Sequence, residues 1–537
     1  MTLHRIALLF CLISPVFYGL AAILLFDQDA NWDLRNYHYY NAFAFLEGGR
    51  PGDLLAANKA SFYNPLVDLP FYLADRILPA RLTGFLLGLV QGLNLPLLFL
   101  LARNLLSGLA PWPRAFWAMG LALAGMTGGG VLGEIGAVFY DNIVSLGFLG
   151  ALLLVVAQRR TLTEGPWQSA LPLAALSGLM VGLAFGLKQP WVVYCVGICF
   201  ALLFLGGSLR RRFLLSFCCG LGVLAGFALF GGGWALHLAE LTGNPLFPYF
   251  NNIFQAAWAP ANEFRDTTFL PRDALDCLLR PFQILLNPLL GGEAVFRAPA
   301  LPIAYALLPL AGLSLLWRRK ARTMPAPQAL TDRDGGLYLI LVALLAYAAW
   351  LKLFAIYRYA IGIEMISPLL IVLLLDRFGG GHAWKLIALA GALALSILYA
   401  KPADWGRTQW TSRYVEAAPP ALEAPERTAI FFASGEPTSY LIPFFPKDVR
   451  WLRLDSGFPG PRPPSQPFNA HRLDILKHLD RDLRFVLILP KDRDFAQTIL
   501  ALYGLDYDPT PCKTVTSNLM PSPYALCAVR PAKGQEH

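Results

Sequence analysis

Over most of the chain apolar residues come in long unbroken stretches instead of alternating with polar ones. Runs of spanning length fall at about 6–26, 82–102, 115–132, 140–157, 169–187, 190–206, 213–235, 300–317, 336–353, 360–376 and 384–400. Two pairs close as tight hairpins, 115–157 turning at Gly133–Phe139 and 169–206 turning at Lys188-Gln189-Pro190. From Lys401 the pattern changes. Short extended runs, Ala429–Ala433 and Arg484–Leu489, alternate with helical patterns at about 471–479 and 495–503, and a Pro-rich loop, Pro459–Pro467, separates the halves. The expected fold is an α-helical polytopic membrane protein of about eleven spans over residues 1–400, followed by a small soluble α/β domain over 401–537.

Composition sharpens that division. The 537 residues are 56% hydrophobic and only 15% charged, against about 25% charged in an average soluble domain. The tail carries 32 charged residues in its 137 positions, whereas the first 400 carry 47. The net charge of +9 resides mostly in the apolar body, in short loops, so it reads as an orientation signal and not as a nucleic-acid surface. With the N-terminus inside, the inner loops hold 15 basic residues against 4 acidic ones, and the outer side of the body holds 12 basic against 16 acidic. The apolar run at the start, Ile6–Phe26, is about 21 residues, too long for a signal-peptide core of about 7–15 and long enough to span. It reads as an uncleaved first span.

This topology places two long loops on the outer face, 27–81 and 236–299, together with the short Lys352–Tyr359 turn and the tail. Apolar stretches too short to span, Asn41–Leu46 and Leu278–Leu290, suit helices lying in the membrane interface. Five of the eight cysteines lie in spans as small apolar residues. Cys512 and Cys527 flank a turn-rich stretch between expected strands, where an oxidising compartment favours a hairpin disulfide over two unpaired thiols.

Polar chemistry gathers at the outer edge. Directly after the first span come Asp27, Asp29 and Asp33, then Arg35, Tyr37 and His38. A carboxylate there can act as general base on a hydroxyl, and the Asp27/Asp29 spacing permits, without requiring, a divalent cation; no cofactor is called for. The bland alternative is a solvated capping loop. Glu134 and Asp141 bracket the turn between the third and fourth spans on the same face, with helix capping by Asp141 as the structural alternative. Lys188, Arg265 and Arg358 are the outer cations able to neutralise a phosphate, or else interfacial anchors. The second loop carries Asn244 and Tyr249 in a polar, aromatic segment suited to positioning a sugar, or to forming a lid.

The order Asp33-x3-Tyr37, Ala42, Ala44, Leu46, Gly48, then Phe62-Tyr63-Asn64-Pro65-Leu66-x-Asp68-Leu-Pro70 before the second span, resembles the first outer loop of the GT-C glycosyltransferases. It is most similar to the mannosyltransferase-like enzymes that use polyprenyl-phosphate sugars. The resemblance covers the first 160 residues best. It implies an inverting transfer on the outer face, with a lipid-linked sugar arriving from the bilayer and Asp33 taking the proton from a glycan or glycolipid hydroxyl. It also matches Asp141 with an acidic residue of the second outer loop, and Tyr357-Arg358-Tyr359 with aromatic–basic turns of that superfamily. Asp27 and Asp29 do not form the adjacent Asp-Glu pair of protein O-mannosyltransferases, which argues against a protein acceptor.

The expected function is therefore a membrane glycosyltransferase of the cell envelope, seated in a bacterial inner membrane with its tail outside. A transporter or flippase for lipid-linked saccharides is the non-enzymatic alternative, but it needs ionisable residues at mid-membrane, and the spans look almost free of them. A polymerase or ligase acting on lipid-linked oligosaccharides would use the same outer face. No P-loop surrounds Lys188, no histidines stand at zinc spacing, and no dinucleotide-binding glycine motif follows a strand.

Overall fold

A computed structural model describes residues 3–47, 55–320, 329–455 and 467–532. Gly48, Arg322 and residues 459–466 of the Pro-rich loop lie outside the described residues. The chain folds as two compact units that interleave in sequence. A helical unit takes Met1–Phe26, Gly84–Gly232 and Asp266–Trp405, and a sheet unit takes Asp27–Thr83, Gly233–Arg265 and Gly406–His537. The first outer loop and part of the second thus belong with the tail, a grouping that differs from the division expected at residue 400.

Seven described helices are long and apolar enough to cross a membrane: Arg5–Leu24, Ala80–Leu105, Trp167–Leu187, Leu209–Thr242, Ala300–Trp317, Arg333–Leu353 and Tyr357–Leu375. Shorter apolar helices, Asp141–Ala157, Gln189–Phe204 and His382–Leu398, stand where three more spans were expected. The run expected at 115–132 is broken. Its helix, Pro111–Gly125, ends at Met126, and a separate short helix, Gly129–Gly133, begins after Gly128. Glycine explains the break. A Cβ on Gly128 or Gly130 would overlap the Glu364 carboxyl, and one on Gly129 would overlap the carbonyls of Arg297 and Lys401.

Small residues also set the closest helix pair. Gly178, Gly182 and Gly186 on Trp167–Leu187 face Leu209–Phe227, whose Gly222 and Gly226 face back. A Cβ on Gly178 would overlap the Cys219 carbonyl, and one on Gly222 would overlap that of Ala175. Without a hydrophobic drive between helices in lipid, backbone approach of this kind supplies the van der Waals contact that holds a bundle together.

In the sheet unit, β1 (Gln28–Asp29) pairs antiparallel with β2 (Arg407–Thr408). The main sheet contains β3 (Ala417–Ala418), β4 (Thr428–Phe432), β5 (Arg450–Arg453), β6 (Leu483–Ile488), β7 (Leu505–Tyr507), β8 (Lys513–Ser517) and β9 (Met520–Pro531). Their order is β3-β8-β9-β6-β4-β5, with β7 also paired to β9. The interior strand β4, Thr-Ala-Ile-Phe-Phe, is buried along its whole length and parallel to both neighbours, as expected for a strand covered on both faces. One cover comes from the outer loops, since Leu55, Phe62, Leu238 and Phe247 share a core with Phe431, Leu452 and Val486. Cys512 and Cys527 are joined in a disulfide beside the β8–β9 pairing.

Candidate functional site

The segment after the first span is wound as a π-helix, Leu34–His38, with Asp33 at its start. Such turns are rare and concentrate at functional sites. Leu34, Asn36 and His38 point into the core, leaving Asp33, Arg35 and Tyr37 half-buried. The Tyr37 hydroxyl donates to Asp33 Oδ2 at 3.3 Å. The Tyr37 ring meets Tyr63 edge-on at 5.2 Å between centroids, and the Tyr63 and Tyr249 hydroxyls are 2.6 Å apart. Three residues singled out from the sequence, Asp33, Tyr37 and Tyr249, are thus linked through a fourth, Tyr63.

The surroundings fix this row. Arg35 reaches the Ala30 carbonyl at 3.1 Å and Glu436 at 3.4 Å, and Arg453 donates to the Ala56 carbonyl at 2.9 Å. Asn244 is fully buried and spends its amide locally, donating to the Tyr249 carbonyl at 3.0 Å and accepting from the Leu246 amide at 2.9 Å. It shapes the turn that presents Tyr249. Asp29 is buried with both carboxylate oxygens bonded to Asn31, at 3.0 and 2.7 Å, while Asp27 is exposed. Among the described residues no three His, Cys, Asp or Glu side chains are grouped to hold a metal ion. Sequence reasoning discarded His38 with the other histidines; its Nδ1 lies 2.6 Å from Asp68 Oδ1 in a buried pair that no local spacing signals.

A second group forms within the helical unit. Asp141 opens Asp141–Ala157 after Tyr140, which takes a left-handed backbone (φ 66°). Fully buried, Asp141 binds Lys188 Nζ at 2.6 Å through Oδ2 and Trp191 Nε1 at 3.0 Å through Oδ1. Lys188 also donates to the Phe139 carbonyl at 2.6 Å and lies 5.7 Å from the Tyr359 ring centroid. Arg358 stacks over Phe139 at 4.1 Å, with Tyr359 and Trp405 further off. Its turn is held by the Tyr194 hydroxyl on the Tyr359 carbonyl at 2.9 Å and by Trp350 Nε1 on the Ile356 carbonyl at 2.7 Å.

Glu134 completes this group. Gln91 bridges the Glu134 and Ala137 carbonyls at 3.0 and 3.1 Å and accepts from the Gly136 amide at 2.8 Å, so the turn is fixed from the helix opposite. Burial pushes the Glu134 carboxyl well above its ordinary value; the charge of Asp141 adds to the rise, and Lys188 and Arg358 oppose it. Of the three outer cations expected to meet a phosphate, Lys188 and Arg358 fall in this group. Arg265 belongs to the sheet unit, where its backbone amide binds Glu263 at 3.3 Å. The expectation of nearly charge-free spans overlooked Glu364, buried in the first turn of Ile361–Leu375 with the Gly130 amide 3.1 Å away.

No protein-family profile matches the chain, and no curated protein does. Among solved structures it is similar to ArnT from Cupriavidus metallidurans bound to undecaprenyl phosphate, at 13% identity over 98% of this chain and 97% of that one, with a TM-score of 0.42. ArnT in the apo state gives 12% identity, 98% of each chain and a TM-score of 0.42. The oligosaccharyltransferase of Archaeoglobus fulgidus in the apo form gives 10% identity, 91% of this chain and 69% of that one, with a TM-score of 0.43.

Proposed function

We propose that this chain is an inverting GT-C-type glycosyltransferase of a bacterial inner membrane that moves a sugar from a polyprenyl-phosphate donor to a hydroxyl of an envelope glycan or glycolipid. The observation that carries the reading is the half-buried Asp33 on its π-turn, bonded to Tyr37 and continued by Tyr63 and Tyr249. A half-buried carboxylate that accepts from one tyrosine hydroxyl, in a row of tyrosines, suits the binding of a polyol and the removal of one of its protons. Asp33 is the general base, and Tyr37 holds its second oxygen. Arg358 and Lys188 supply positive charge to the leaving phosphate, with Arg265 as a further candidate, and Asp141 keeps Lys188 in place. The Cys512–Cys527 disulfide supports an oxidising compartment for the tail, outside the cytoplasm.

The test is transfer or hydrolysis of radiolabelled polyprenyl-phosphate sugars by the purified full-length protein beside Asp33→Asn. Loss of label from the lipid with the wild type alone is the expected result. Equal turnover by the variant would remove Asp33 as base. No turnover of any donor, with lipid-linked saccharide crossing vesicles instead, would replace the enzyme by a transporter.

A further inference from the structure

The first span borders a trough within the helical unit. Leu9, Ile13 and Phe17 recur on it at helical spacing, and Leu95, Met119 and Leu123 of the two neighbouring helices line the other side. The lining is apolar except for the hydroxyls of Ser14 and Tyr18. From Ile6 to Ala21 the trough follows about 22 Å of helix. Its volume of about 520 Å³, spread over that length, makes it one or two hydrocarbon chains wide. The two ends differ in charge. The first span and Ala80–Leu105 run antiparallel, with Ala22 against Gly88, Pro15 against Gly92 and the Phe10 ring 5.1 Å from that of Phe99. One turn beyond Phe99 the same register brings Arg103 level with Arg5, and the charge of Arg103 reaches the Cys11 thiol. Other cations assigned to that membrane face are occupied. Arg114 donates to the Ser107 and Leu109 carbonyls at 2.7 Å, Arg159 pairs with Asp332 at 2.7 Å, and Lys385 pairs with Asp376 at 2.8 Å. Arg5 is exposed and Arg103 half-buried, and neither side chain bonds a carboxylate or carbonyl among the described residues.

We propose that this trough is a site for an anionic phospholipid of the bilayer, its acyl chains lying along the first span and its phosphate on Arg5 and Arg103. An apolar trough with two cations at one end complements a molecule with an apolar body and one charged end. The chains supply packing that Leu9, Ile13 and Phe17, each at least 41% exposed, do not find within the protein. The charge also separates this lipid from the sugar donor. Ala22, at the far end of the first span, abuts the Gly136 turn, and Lys188 and Arg358 bind Phe139 close by. A donor with its phosphate on those residues would hold its charge at the opposite end of the span from Arg5 and Arg103.

The test is native mass spectrometry of the purified full-length protein in detergent, titrated with phosphatidylglycerol and with phosphatidylcholine of the same chains. Phosphatidylglycerol should bind about tenfold more tightly, the scale of two basic residues at an anionic lipid surface. Arg5→Gln and Arg103→Gln together should bring the two lipids level. Ile13→Trp fills the trough from its exposed side and should abolish the tight phosphatidylglycerol adduct. Leu221→Trp, at an exposed apolar position on another helix, should keep it. Equal binding of the two lipids by wild type, or a preference that survives the arginine changes, overturns the proposal. A tight adduct that survives Ile13→Trp places the lipid elsewhere and overturns it as well. Polyprenyl phosphate that displaces phosphatidylglycerol from wild type at equal concentration would give the trough to an isoprenoid chain and overturn its assignment to a phospholipid.

Discussion

Replacing Lys188 by Met removes one half of an ion pair whose carboxylate side chain is 0% exposed and whose ammonium side chain is 12% exposed. At 2.6 Å two unit charges attract by roughly 6 kcal/mol in an effective dielectric of about 20. Desolvation of both groups offsets part of this, and stranding the surviving charge costs about 3–5 kcal/mol. Trp191 still donates to Asp141 in the variant, at 3.0 Å, which favours the lower end. The Phe139 carbonyl loses its donor, a further cost of about 1 kcal/mol. Asp141→Asn strands the ammonium instead, and the Asp141→Asn, Lys188→Met double variant removes both charges and should recover most of the loss. The assay is a double-mutant cycle on unfolding in mixed micelles, followed by tryptophan fluorescence. A coupling of about 2–3 kcal/mol is expected, and single effects that add within about 0.5 kcal/mol would refute the pair as a source of local order.

Gly178→Ala or Gly222→Ala should cost about 1–3 kcal/mol, because the new methyl meets a carbonyl of the facing helix, whereas Gly120→Ala, with nothing within 4 Å of its Cβ, should cost nothing. Thermal retention of a monodisperse elution peak separates the two cases. The Cys512→Ser, Cys527→Ser double variant opens a loop with a sequence separation of 15 and should lose about 3 kcal/mol from the sheet unit, a loss that reductant reproduces in wild type. Burial holds the Asp75 carboxyl above its ordinary value despite bonds from Tyr39 and the Tyr414 and Val415 amides. The folded state therefore binds this proton more tightly than the unfolded chain. Its contribution is complete below the ordinary carboxylate pKa and is lost as pH rises through the raised value. Asp75→Asn should flatten that part of the stability profile, and an unchanged slope in denaturant titrations across the acid range would count against it.

The sequence shows some of this plainly and hides the rest. Uninterrupted runs such as 6–26 and 336–353, which fall on the helices Arg5–Leu24 and Arg333–Leu353, could be read directly, because lipid demands about 20 apolar residues and nothing else matches that demand. The run 115–132 could not, because its interruption at Met126–Gly128 answers to Glu364, Arg297 and Lys401, residues far away in the chain. Asp33 and Tyr37 stand four apart in one turn, so their pairing was within reach of local spacing. Tyr63 and Tyr249 are 186 positions apart, and His38 and Asp68 are 30 apart. Glu364 escaped because one acid barely moves the hydropathy of a span that is otherwise apolar. The union of loops and tail is carried by contacts such as Gln28 to the Tyr414 carbonyl, 386 positions apart, for which no period or motif gives a sign.

The two groups are supported separately, and that has a kinetic consequence. Asp33 depends on the π-turn, on Arg35 bonded to Glu436 and on the Tyr63–Tyr249 contact, all within the sheet unit. Lys188 and Arg358 depend on helix ends and on Trp191, Tyr194 and Trp350, all within the helical unit. If Asp33 performs the proton transfer and the cations bind the donor phosphate, perturbations of the two units should divide between the steps. Loosening the sheet unit by reducing Cys512–Cys527 should lower turnover while donor affinity holds. Lys188→Met should weaken donor binding, and the Asp141→Asn partner change should recover stability without recovering affinity, because the pair is restored to neutrality but the cation is gone. Affinity that returned together with stability would mean that Lys188 serves only to keep Asp141 in place, and the phosphate would then rest on Arg358.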